Sequence, residues 1–309
     1  MTAGATALVT GGAGFIGSHL VAALLERGLS VKVLDNFSSG SRGNLVPNVE
    51  VVEGDLRSYE RVANAVRGCD YVFHEGALPS VPRSVQDPLT SNEVNVNGTL
   101  NVLLAARDAG VRRVVFASSS SVYGDAPGMP RAEDQQTTPL APYAVSKLAA
   151  EQYCKIAHRV YGLETVALRY FNVYGPRQDP NSQYSAVIPR FITAMLDGRA
   201  PTIHGDGEQS RDFTFVGDVV AGNLLAMEAP AAAGRVMNLA CGERHTLNAL
   251  VATINDVIGS AVVPEHGPGR AGDVRHSHAD ISLAAELLGY EPTVSLREGV
   301  ERSVAAYSA

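Results

Sequence analysis

The run Ala7-Leu8-Val9-Thr10-Gly11-Gly12-Ala13-Gly14-Phe15-Ile16-Gly17 decides the fold. An apolar stretch enters a glycine-rich turn and leaves it into a helical stretch. Gly11, Gly14 and Gly17 fall three apart, a G-x-x-G-x-x-G spacing rather than the more familiar G-x-G-x-x-G. One such glycine permits the tight turn, one lets backbone approach a phosphate, and one lets the helix pack closely on the strand. Strand, turn and helix N-terminus in this order form the seat of a dinucleotide pyrophosphate.

The next strand narrows the ligand. Val31-Lys32-Val33-Leu34 reads as a strand, and Asp35 ends it. A carboxylate there accepts hydrogen bonds from the adenosine ribose hydroxyls and repels a 2′-phosphate, which favours NAD over NADP. Arg42, a few residues on, keeps NADP in play.

Strand-like runs recur at 5–9, 31–34, 49–53, 70–74, 112–117 and 164–168, with helical patterns between them at 15–27, 58–67, 92–109 and 143–160. The alternation predicts an α/β protein: a doubly wound parallel sheet, helices on both faces, ligands outside the carboxyl ends of the strands. After about residue 175 the rhythm breaks at Pro176, Pro180, Pro189 and Pro201, and helical patterns follow at 186–197, 217–228, 246–258 and 281–287. The expected organisation is a dinucleotide-binding domain over 1–175, to which a later stretch at about 212–245 returns. A smaller mixed α/β cap over 176–309 supplies the substrate contacts.

Composition bounds the rest. With 309 residues, 45% hydrophobic and 18% charged, the chain is long enough for a large core. A net charge of −7 argues against nucleic acid as a partner and leaves any anionic ligand to local arginines. Cys69, Cys154 and Cys241 show neither metal spacing nor an even framework, so a reducing, cytoplasmic setting is expected. No apolar run approaches the ~18 residues of a membrane span. His266, His276, His278 and Asp280 lack ligand spacing, and no metal is expected.

The chemistry centres on Tyr143-Ala-Val-Ser-Lys147. Pro142 suits a first helical turn, which places Tyr143 and Lys147 one turn apart on one face. A nearby ammonium and a positive nicotinamide favour phenolate and make Tyr143 a base near neutrality. The strand Val114–Ala117 runs into Ser118-Ser119-Ser120-Ser121, hydroxyls well placed to hold a substrate oxygen. Arg211 and Arg270 are candidates to clamp a pyrophosphate; the plainer alternative is a pair of surface ion pairs. The segment Pro79–Pro88 reads as a surface loop or a flap over the substrate.

Thr10–Gly17, Asp35-Asn36, Gly54-Asp55-Leu56, Tyr143-x-x-x-Lys147 and Arg169-Tyr170-Phe171-Asn172 occur in order. Together they resemble an extended short-chain dehydrogenase/reductase from end to end, most closely the UDP-hexose 4-epimerases. The resemblance implies a Rossmann-type fold, a homodimer paired through the helices at 92–109 and 143–160, and a tightly held, non-exchanging NAD. It implies NAD contacts at Gly11, Gly14, Phe15, Ile16, Gly17, Asp35, Asn36, Asp55, Leu56, Asn95, Tyr143 and Lys147. Ser119 takes the position of the family's catalytic serine or threonine, beside Tyr143 and Lys147. The sugar nucleotide falls to Ser80, Ser119, Ser120, Asn172, Ala186, Val187, Arg211, Arg270, Asp273 and Ser277, with Asp273 on the uridine ribose.

Small residues mark the sugar end. Ser277 stands at the family's gatekeeper position, where a bulky tyrosine excludes N-acetylated sugars, and Ala186 stands where glucose/galactose enzymes usually carry asparagine. Both, with the segments Ser80–Ser84 and Asp273–Ser277, resemble enzymes that favour UDP-GlcNAc/UDP-GalNAc over UDP-Glc/UDP-Gal. Dehydratase and decarboxylase relatives carry acidic residues where Ser120 and Ser121 stand here, which disfavours both activities. A UDP-glucuronate 4-epimerase stays open, since Ser120, Ser121 and Arg83 suit a carboxylate. A non-catalytic NAD-binding sensor is opposed by the intact Ser119, Tyr143 and Lys147.

Overall fold

The computed structural model describes residues 4–47, 49–180, 187–269 and 275–308. Six parallel strands form where alternating apolar runs predict them: β1 (Thr6–Thr10), β2 (Ser30–Asp35), β3 (Glu50–Glu53), β4 (Tyr71–His74), β5 (Arg113–Ser119) and β6 (Glu164–Tyr170). A seventh, β7 (Val236–Leu239), pairs with β6 from the stretch beyond residue 212. The sheet order is β7-β6-β5-β4-β1-β2-β3, all parallel, so the order in which strands are added reverses between β1 and β4 and opens the crevice where ligands sit.

Both faces of the sheet are buried because successive side chains point opposite ways. Val9, Val33, Phe73, Val115 and Leu168 pack under α1 (Phe15–Glu26) and its neighbours. Leu8, Leu34, Val72, Val114 and Phe116 pack on the other face, under α2 (Tyr59–Val66) and the helices that follow.

Two expectations are corrected on that second face. The 79–88 segment contains a helix, α3 (Val81–Gln86), started by the Ser80 hydroxyl accepting from the Arg83 amide. It is not a plain loop: Ser84 is fully buried and its Oγ accepts from the Tyr143 amide at 3.0 Å. The single helix expected over 92–109 is α4 (Pro88–Asn92), a π-helical turn over Glu93–Asn97, and α5 (Gly98–Asp108). The long α6 (Pro142–Tyr161) follows β5 and closes with Gly162 in the left-handed conformation.

The later chain packs around a core of Tyr174, Ile188, Phe191, Phe213, Phe215, Leu250 and Ile254. Its helices are α7 (Val187–Leu196), α8 (Val216–Glu228), α9 (Leu247–Ile258), α10 (Ser282–Leu288) and α11 (Leu296–Tyr307). Of these, α8 lies back against α1 on the sheet.

Candidate active site

Gly11 and Gly17 of the opening run leave no room for a side chain. Gly11 has a left-handed φ of 69°, and a Cβ there would sit 2.7 Å from the Gly76 Cα. A Cβ on Gly17 would sit 2.2 Å from the Gly11 carbonyl oxygen, so helix and turn meet only because that position is bare. Gly14 donates its amide to the Gly11 carbonyl at 3.0 Å and opens α1. Any larger residue fills the cradle with its own atoms.

A buried relay fixes the turn from below. Thr10 Oγ1 lies 2.7 Å from His74 Nδ1, and His74 Nε2 lies 2.9 Å from Thr99 Oγ1. Thr99 donates to the Asn95 carbonyl, so His74 donates through Nε2 and accepts at Nδ1. Burial pushes the imidazole down to about 3, which keeps it neutral.

At the far end, Asp35 accepts from the Ala13 amide (2.9 Å) and the Phe37 amide (2.8 Å), tying β2 to the glycine turn. Asn36 donates to Asp55 at 3.1 Å. Arg57 grips the same carboxylate through Nε (3.0 Å) and Nη2 (2.9 Å), and its hydrogen bonds hold Asp55 down at about 2. Arg42, the residue that kept NADP in play, stacks 4.0 Å over the Phe37 ring and pairs with Glu53.

The catalytic candidates converge where β5 meets α6. Ser119 ends β5, its hydroxyl accepts from the Ser121 amide at 3.2 Å, and it faces Tyr143 closely enough to favour the phenolate. Lys147 is buried, donates Nζ to the Ala117 carbonyl at 2.8 Å and lies 6.0 Å from the Tyr143 ring centre. Burial lowers its ammonium to about 8, against the opposing charge of Glu75. Burial also pushes Tyr143 up to about 12, with the nearby Ser119 hydroxyl working against it and the Glu75 charge adding to it. The expectation joined the lysine to a positive nicotinamide, and the lysine by itself does not bring the phenol near neutrality. The ammonium is turned to a backbone carbonyl, and the chain by itself holds Tyr143 protonated.

Behind this junction, Glu151 lies one turn beyond Lys147 and is fully buried. It accepts from Ser118 Oγ at 2.6 Å and from Arg169 Nε and Nη2, each at 2.8 Å. That network locks β5, β6 and α6 in one register.

One cavity of about 1500 Å³ joins both ends. It is lined by Gly11, Gly14, Phe15, Ile16, Gly17, Asp35, Asn36, Asp55 and Leu56, and also by Ser119, Ser120, Tyr143, Asn172, Arg211 and Ser277. Asn172, at φ 36°, points Nδ2 at the Asp212 carbonyl (3.1 Å) and Ser277 Oγ (3.4 Å). Arg211 donates to the Ser210 and Arg275 carbonyls at 3.0 and 3.1 Å. Beneath them the buried Asp212 carboxylate accepts from the Cys241 amide (2.9 Å) and the Ala279 amide (3.1 Å), and burial lifts it to about 6.

Other candidates lie apart from this lining. Asn95 spends its amide on both backbone groups of Leu78 and on Ser146 Oγ. Ser80 caps α3, and Val187 opens α7. Ala186, Arg270 and Asp273 fall outside the described residues. Sequence reasoning missed Glu75, Arg57 and Arg177, which line the cavity. The signal for Glu75 is its position, a charged residue directly after β4 at the carboxyl edge of the sheet.

The model of the NAD dependent epimerase/dehydratase family matches residues 7–240. The chain belongs to that family. A UDP-glucose 4-epimerase of Mycolicibacterium smegmatis is 40% identical over 308 residues, covering 96% of each chain. Among solved structures, the UDP-N-acetylglucosamine 4-epimerase of Methanobrevibacter ruminantium, in complex with UDP-N-acetylmuramic acid, is 42% identical with a TM-score of 0.95 over 99% of both chains. The Thermus thermophilus UDP-glucose 4-epimerase in complex with NAD is 39% identical with a TM-score of 0.90, covering 98% of this chain and 99% of that one. The Rossmann-type fold read from the sequence is thus the fold of the family.

Proposed function

We propose that the chain is an NAD-dependent 4-epimerase of UDP-hexoses. The observation that carries this reading is the one continuous cavity, with the glycine cradle and Asp35 at one end and Ser119 and Tyr143 on its wall, Lys147 buried behind them. The residues fit NAD: a turn that tolerates no Cβ, and a ribose-side carboxylate already oriented by two backbone amides. Residues 1–175 and 212–245 would hold the cofactor and the catalytic group, and the rest of the chain mainly the sugar nucleotide.

When bound, NAD supplies a hydride acceptor and donor for C4 of the sugar. Tyr143 takes the 4-hydroxyl proton and returns it, and Ser119 bonds the same oxygen and relays the proton. Because burial holds the phenol neutral, Tyr143 becomes a base only when positive charge enters the cavity beside it. Lys147 anchors α6 to β5 through Ala117, which keeps Tyr143 in register with Ser119. Arg211 grips the diphosphate while small residues around the hexose leave the 4-keto sugar free to turn over.

Ser277 on the cavity wall supports UDP-GlcNAc/UDP-GalNAc as the preferred pair, with UDP-Glc/UDP-Gal second. Separate incubation with UDP-GlcNAc, UDP-glucose and UDP-glucuronate, followed by NMR of the products, tests this. Epimerisation of UDP-GlcNAc is expected; a chain that turns over only a dTDP-sugar overturns the uridine assignment. We further propose a cytoplasmic homodimer. Val145, Tyr153, Ile156 and Val160 form an exposed apolar stripe along α6, and Leu89 on the adjoining α4 is 78% exposed. A second copy of the chain, paired helix to helix, buries both. Light scattering at twice the 32.5 kDa monomer mass is the expected result.

A further inference from the structure

Glu75 is a half-buried carboxylate on the cavity wall that the proposed chemistry does not use. It follows β4, which lies between β1 with the glycine turn and β5 with Ser119, and its amide donates to the Thr10 carbonyl at 3.2 Å. Its Oε1 accepts from the Tyr170 hydroxyl at 2.8 Å. That hydroxyl in turn accepts from Asn223 Nδ2 at 2.7 Å, and Asn223 is fully buried. The chain of donors Asn223, Tyr170, Glu75 runs in one direction and ends on the carboxylate; burial lifts that carboxyl to about 7 against the Tyr170 hydrogen bond and the Lys147 charge, so it is an anion above that pH. The charged and titratable groups that face it are Lys147 and Tyr143 from α6 and Tyr170 from β6.

The reacting end of the cofactor must lie against Tyr143 and Ser119, because the sugar oxygen they hold sits on the carbon that exchanges hydride. The oxidised ring there is a cation and the reduced ring is neutral. Lys147 opposes the cation; a carboxylate favours it. We propose that Glu75 is a charge-positioning residue that stabilises the oxidised cofactor over the reduced one and so drives the hydride back onto the 4-keto sugar. This rests on the reading of the cavity as an NAD-dependent epimerase site.

The test uses the holoenzyme of Glu75→Gln, which keeps an oxygen for Tyr170 and removes the charge. Wild type and variant are equilibrated at pH 8 with a redox dye of known potential, and bound reduced cofactor is read by its near-ultraviolet band. The reduced-to-oxidised ratio is expected to rise about tenfold or more in the variant, a shift of roughly 30 mV or more, with NAD content unchanged. Glu75→Asp is expected to return most of the way to wild type. An unchanged ratio in a Glu75→Gln protein that retains NAD overturns the assignment while leaving the epimerase reading intact. A wild-type chain that binds no NAD overturns both. Should Glu75→Gln fail to fold, Tyr170→Phe makes the same test. Without its donor the carboxylate takes up a proton more readily, so the ratio rises at pH 7 and falls back at pH 9; a ratio at wild-type level at both overturns the proposal.

Discussion

The two ends of the cavity are built in opposite ways. The dinucleotide end comes from short, contiguous pieces, a turn at 10–17 and the strand ends at 35–36 and 54–56, and much of its shape is backbone. The sugar end is stitched from segments distant in the chain. Asn172 reaches Ser277, Arg211 reaches the Arg275 carbonyl, and Asp212 takes amides from Cys241 and Ala279. The first end is therefore sensitive to added volume, and the second to lost hydrogen bonds.

The largest effect expected is at the cradle. Gly17→Ala puts a methyl into the Gly11 carbonyl, so the purified protein should lose its NAD and all turnover. Full NAD content in that variant, measured after denaturation, would break the contrast. Tyr143→Phe sits at the seam between the ends. It should lower kcat by about 10³-fold or more while NAD content and UDP affinity persist. On the sugar side, Arg211→Ala should weaken UDP binding about 10- to 100-fold, read by calorimetry, and leave NAD content at the wild-type level.

The remaining effect belongs to Asp212; it bears on stability rather than activity, and it depends on pH. Its carboxyl is lifted from 3.8 to about 6 in the fold, so the unfolded chain gives up the proton first as pH rises. Stability tied to the neutral form is full below pH 3.8 and drains away up to about pH 6. Relative to Asp212→Asn, wild type should lose at most about 3 kcal/mol between pH 4 and pH 6.5 in urea unfolding. Any constant offset from the amide cancels in the comparison. A flat difference would show that the amides of Cys241 and Ala279 hold the carboxylate charged.

The same contrast governs what the sequence reveals. Glycine spacing and a strand-end Asp35 are local signals, and six strands of the sheet follow from alternation over a few residues each. β7 escaped because Val236–Leu239 is short and its partner β6 lies far back in the chain. α11 escaped although Ser295 and Glu298 carry a start signal, the Ser295 hydroxyl accepting from the Glu298 amide. Ser119, Tyr143 and Lys147 were legible as a set, but their electrostatics were not. Whether Lys147 faces the phenol or the Ala117 carbonyl depends on packing across β5 and α6, which no spacing encodes. Ser80 and Asn95 show the converse: polar residues in family positions whose side chains are committed to capping and bracing.

The π turn at Glu93–Asn97 is, in effect, a phase shifter. An α-helix rotates by about 100° per residue, so one extra residue held in a wider turn resets which face of the rod looks inward. Upstream, Leu89 faces out; within the turn, Asn95 faces in, toward Leu78 and Ser146; downstream, Val102 and Ala106 meet the sheet. Asn95 and the α5 face look to different partners, Leu78 and Ser146 for the first and the sheet core for the second. Removing one residue there would let 88–108 run as a regular helix, at the cost of rotating either the Asn95 brace or the α5 core face out of alignment.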